Sequence, residues 1–226
     1  MNLAIAALAL LAVSAAPARI DPQAAAAFLV AFGRSATVIL KRQGEYKETF
    51  KYMPGSLVVA PFGPVLISPG DVLDAPHASS GKIAAIYIKR TPGGLIVARR
   101  FAPAMENGSF RSIGNWRVSR SFGTMPVVTV EGGGTWQGYT CTVTSLLELP
   151  PDKRRELITL PLYYSDGGAV LPPKRATEVI GRITHGIPGL AFDVVYSGSK
   201  HFTERYLRRA NQYVLAEERE THMPTC

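Results

Sequence analysis

Between Gly81 and Arg120 the chain carries Lys82, Lys89, Arg90, Arg99, Arg100, Arg111, Arg117 and Arg120 against a single acid, Glu106. This stretch holds nearly all of the formal net charge of +8. Guanidinium groups grip phosphate, sulfate and carboxylate in bidentate fashion, and a positive strip draws such anions toward it. Tyr87 and Trp116 are interleaved with these cations, and aromatic faces serve in carbohydrate or nucleobase contact. The candidate anion-binding residues are therefore Lys89, Arg90, Arg99, Arg100, Arg117 and Arg120. The bland alternative is a solvated face whose cations pair with acids elsewhere.

Other residue patterns offer weaker chemistry. Cys141 is a candidate nucleophile with His185 or His201, but it sits in the apolar alternation of YTCTVTSLLEL, which suits a buried or bridged cysteine. Ser197-Gly198-Ser199-Lys200 has the S-x-x-K spacing of serine–lysine enzymes. Those place the serine at the start of a helix, whereas this segment follows a strand pattern and reads as a turn. The four histidines lack ligand spacing, so no metal site is expected. Asp71, Asp74 and Asp166 lie in turn-rich loops where aspartate caps backbone groups. The glycines of EGGGTWQG, 131–138, precede no helix or lysine of a phosphate loop and read as a flexible turn. No cofactor is implied.

The elements that must position these residues are mostly strands. Residues 1–15 carry no charged side chain; their apolar run from Leu3 to Val13 is too short to span a membrane, and a small-residue site follows at Val13 and Ala15. This is the pattern of a signal peptide, although the usual basic residue before the apolar run is missing. Residues 16–34 are alanine-rich and are expected to hold one helix, with Asp21 as cap, Pro22 in the first turn and Gly33 at its end. Residues 35–226 are expected to form a β-rich domain of antiparallel meander-type sheets, a sandwich or a barrel, with two subdomains meeting near 132–138 as one option.

The clearest hairpin is IAAIYIKR-TPGG-LIVARR. Pairing Arg90 with Leu95 puts Ile86, Ile88, Leu95 and Val97 on one face, and Tyr87, Lys89, Ile96 and Arg100 on the other. Segment 66–82 reads as a loop, and 202–217 as a final hairpin turning at Asn211, with a terminal helix as the rival. Cys141 and Cys226, both retained after signal removal, are expected to form one disulfide in an oxidising compartment.

The expected function is accordingly that of a periplasmic or secreted, non-catalytic protein. It would bind an anionic polysaccharide, lipid headgroups or an envelope protein; export disfavours nucleic acid. After signal removal no apolar run is long enough to span a membrane. The rival is a cell-wall or polysaccharide hydrolase using Cys141 or a carboxylate pair.

Overall fold

The computed structural model describes residues 21–41, 47–76, 78–217 and 220–226. The proposed signal segment, Gln43-Gly44-Glu45 (whose composition suits a hairpin turn) and His77 lie outside them. The described residues form one helix, α1 (Pro22–Phe32), and fourteen strands. The Asp21 side chain accepts from the Gln23 amide at 2.9 Å, and the Gly33 amide closes the helix on Leu29.

The first sheet contains β1 (Thr37–Lys41), β2 (Lys47–Tyr52), β3 (Ser56–Ala60), β4 (Gly63–Val72), β5 (Gly81–Thr91) and β6 (Gly94–Asn107). The second is an unbroken antiparallel meander: β7 (Trp116–Ser119), β8 (Val127–Trp136), β9 (Tyr139–Glu148), β10 (Arg155–Ser165), β11 (Glu178–Ile187), β12 (Ala191–Gly198), β13 (Phe202–Arg209) and β14 (Gln212–Leu215). The final hairpin is thus a pair of strands, turning at Ala210 and Asn211.

Both faces of β5 are buried along most of its length, which explains its near-continuous apolar run. Ala84, Ile86 and Ile88 face α1, whose Ala24, Ala27, Phe28 and Ala31 form a helical stripe of mostly small side chains. Ile83, Ala85 and Tyr87 face the second sheet and meet Val128, Val130, Leu147 and Leu149. Val127 and Leu146 point to the far side of the second sheet. There β10 to β14 curl, and β14 returns against β10 around Tyr164, Phe192, Tyr196, Tyr206 and Tyr213. The result is half a barrel joined to a helix-backed sandwich.

Two loop readings are corrected. Segment 66–82 is strand as far as Val72. Pro69 is tolerated because it lies between the end of β4's pairing with β3, at Ile67, and the start of its pairing with β2, at Gly70; there its carbonyl accepts from the Met53 amide at 2.8 Å and no ladder bond calls for the missing N–H. The glycines of 131–138 are also strand, and the turn falls at Gln137 and Gly138. A Cβ at Gly132 would collide with Asn107 and Gly108, and one at Gly134 with the Trp136 ring. Close approach, not flexibility, places those glycines.

A disulfide joins Cys141 on β9 to Cys226, the last residue. It fixes residues 220–226 as a strap. Met223 is buried in the half-barrel core, and the Thr221 hydroxyl (2.9 and 3.0 Å) and His222 amide (2.8 Å) donate to the buried carboxylate of Glu204.

Burial holds the phenols of Tyr52, Tyr87, Tyr196 and Tyr206 above the usual tyrosine range, with neighbouring acids adding to the effect. A proton held more tightly in the folded state gives stability that is complete below the unfolded pKa of about 10 and is lost as pH rises above it. In an alkaline spectrophotometric titration of the nine tyrosines, these four are expected to ionise only above that value, together with unfolding. Reversible ionisation of all nine together would refute this.

Candidate functional site

The structure disperses the basic stretch over several surfaces. Arg90 does pair with Leu95, and the apolar face of the hairpin is as expected. A bulge follows, however: Tyr87 pairs with Arg99 while Ile88 pairs with Val97, leaving Ala98 as the extra residue. Arg100 is therefore opposite Ile86 and faces the helix, not the Tyr87 side. It donates to the Ala31 carbonyl and lies 5.3 Å from the centre of the Phe32 ring. In that place its charge meets the C-terminal end of α1, where a cation is favoured.

The remaining cations find separate partners. Arg120 donates to the Val59 carbonyl at 3.0 Å, meeting a backbone acceptor of β3. Arg117 lies 3.7 Å from Glu131 on β8. Arg111 reaches the Leu73 carbonyl at 3.5 Å. Lys82 is buried between two carboxylates, with Glu106 at 2.7 Å and Glu48 at 3.7 Å.

Lys89 and Arg90 are the two candidates that share a cleft, and Arg99 lies nearby, opposite Tyr87. Lys89 and Arg90 are exposed at the end of β5 and line a cleft of about 420 Å³. Phe62 and Tyr87 supply apolar surface, and Pro151 forms part of the wall. Phe62 and Tyr87 stack at 5.7 Å, with Phe101 edge-on to Tyr87 at 5.9 Å. The Tyr87 hydroxyl is 2.7 Å from the carbonyls of both Pro150 and Lys153, and its single hydrogen is shared between them. Arg99 donates to the Asp152 carbonyl at 2.7 Å. Tyr87 and Arg99, neighbours in register, thus pin the 150–153 loop that carries the wall.

Arg90 is steadied by the Gln23 side chain at 3.1 Å. One amide oxygen occupies one of its donors, and the guanidinium has five N–H groups. An apolar, aromatic floor with two cations at its mouth suits an anionic group attached to a flat or apolar body.

Phe62, Pro151 and the anchoring roles of Tyr87 and Arg99 were outside the reach of the sequence. Tyr87 among cations was the only local signal, and Pro151 lies more than sixty positions away.

The other motifs take structural places. Cys141 is bonded to Cys226, so its sulfur is not a thiolate nucleophile. Ser197 lies in β12 beside its last residue, Gly198 at φ 108°, and the Ser199 hydroxyl accepts from the Glu178 amide at 3.0 Å. Asp166 accepts from the Thr177 amide at 2.6 Å, a capping role. Glu148, buried, joins β9, β10 and β13 by accepting from Arg155 at 2.7 Å and Arg208 at 2.9 Å. Among the described residues no group of three or more His, Cys, Asp or Glu side chains is placed to hold a metal ion. None of their helices is long and apolar enough to cross a membrane.

No family model, curated protein or solved structure matches the chain.

Proposed function

We propose that this protein is exported and acts without catalysis, binding an anionic component of the cell envelope through the cleft bearing Lys89 and Arg90. The observation that carries this reading is the union of two exposed cations with an aromatic floor, on a wall pinned by Tyr87 and Arg99. A disulfide is compatible with export. The bridged state of Cys141 favours binding over thiol hydrolysis.

The chemistry recognised is a sulfate, phosphate or carboxylate on a sugar or headgroup. The test compares binding of a heparin-like polysaccharide and of lipopolysaccharide at fixed salt. Lys89→Gln/Arg90→Gln is expected to weaken binding at least about tenfold, since each charged hydrogen bond is worth roughly 1 kcal/mol or more. The control, Arg182→Gln/Arg209→Gln, removes two exposed charges from the second sheet. Equal loss in the two variants would reduce the cleft to generic charge and end the proposal.

A further inference from the structure

We infer that the end of the second sheet built from the β8–β9 turn and the 166–177 loop docks on an anionic lipid surface. Trp136, Tyr139 and Leu171 would enter the headgroup region, and Lys174, Arg175 and Lys200 would meet lipid phosphates.

The side chains at this end have the amphipathic character of an interfacial contact. Trp136 and Tyr139 pair across the hairpin and are 48% and 40% exposed, and Leu171 is 78% exposed. Indole and phenol rings carry an apolar body with a polar tip, and they concentrate where water meets acyl chains. The three cations are exposed beside them. Lys174 and Arg175 share the loop with Leu171. Lys200 lies just beyond Gly198, which pairs with Val179 at the start of β11. Asp166 is engaged by the Thr177 amide and Glu178 by the Tyr163 hydroxyl at 2.8 Å, so the nearby acids are turned to the protein's own donors. Exposed apolar groups ringed by cations match an anionic bilayer better than an apolar protein groove, which would strand the three charges.

The surface is also built to hold its shape. Gly168 donates to the Gly138 carbonyl at 3.1 Å, and a Cβ on Gly138 would collide with Gly168 and Ala169. The Asp166 amide meets the Thr177 carbonyl at 3.2 Å, closing the base of the loop. Loop and turn therefore present one preformed platform. It stands about 30 Å along β9 from the 150–153 loop, at ~3.3 Å per residue. Failure of either surface leaves the other reading standing.

The test uses vesicles of phosphatidylcholine alone and of equal parts phosphatidylcholine and phosphatidylglycerol. Sedimentation is expected to show binding to the anionic vesicles. In Trp116→Phe protein, whose only indole is Trp136, emission should shift to the blue on binding. Quenching of wild-type emission by brominated acyl chains is a second readout if that variant folds poorly.

Each cation near an anionic membrane contributes a factor of roughly five, so Lys174→Gln/Arg175→Gln/Lys200→Gln should lose about a hundredfold. Trp136→Ala/Leu171→Ser should also lose binding, whereas Arg182→Gln/Arg209→Gln, which removes two exposed charges outside both surfaces, should retain it. No binding, equal binding to the two vesicle types, or a blue shift produced by self-association without vesicles would each overturn the proposal.

Discussion

Cys226→Ser protein is expected to be less stable than wild type by about 4–5 kcal/mol, the chain-entropy value for releasing a loop of this length. The bridge spans 85 positions and ties Cys226 to β9. Its loss also frees the strap that buries Met223 and supplies Thr221 and His222 as donors to Glu204. Tyr206 alone among these donors belongs to the same strand as the carboxylate, at 2.8 Å. A buried carboxylate stripped of partners is costly, so the strap is expected to stay associated but to open more often.

Denaturant unfolding in oxidising buffer measures the difference. Reductant should bring wild type down to the variant and leave the variant unchanged. Amide exchange at His222 should accelerate in both reduced wild type and variant. Unfolding free energies within about 1 kcal/mol of each other, against the loop-closure expectation, would show that packing alone holds the strap.

Lys82→Ala is the other large effect, an expected loss of about 3 kcal/mol, the lower end of the range for breaking a buried ion pair. The lysine side chain is only 2% exposed, with its ammonium 2.7 Å from Glu106, 3.7 Å from Glu48 and 5.0 Å from the centre of the Phe50 ring. Removing it leaves two carboxylates facing each other without the intervening cation. Glu106, 40% exposed, can relieve part of this by turning to water, which is why the lower end applies. Lys82→Met keeps an aliphatic stem against Phe50 and separates packing from charge. It should recover part of the loss but not all. Denaturant midpoints decide, and a change in Lys82→Ala below about 0.5 kcal/mol, typical of a surface substitution, would show that the pair is effectively solvated.

The strands, the helix and the disulfide were legible because each rests on a short-range signal. Alternation marks a strand with one covered face. Asp21, Pro22 and Gly33 bracket a helix, and two cysteines in a chain read as exported suggest one bridge. The antiparallel meander followed from strand signals separated only by turns. Pro69 and the 131–138 glycines misled for one reason. Their backbone demands are set by what lies beside them, a gap between two strand ends or the close approach of Asn107 and Trp136, and no local pattern carries that.

The candidate site was legible only as a list of residue types. By itself the sequence determined the β-rich class, the cap and stop of α1, the pairing of Arg90 with Leu95, and the concentration of positive charge between residues 81 and 120. Tertiary structure alone decided where each of those charges went. One bulge at Ala98 sends Arg99 toward the 150–153 loop and Arg100 toward α1, and the register of β5 with β6 buries Lys82 against Glu106. The physical reason is that successive side chains of a strand take opposite faces, so one inserted residue reverses every later assignment. Which element waits on each face is then settled by packing between segments more than fifty positions apart.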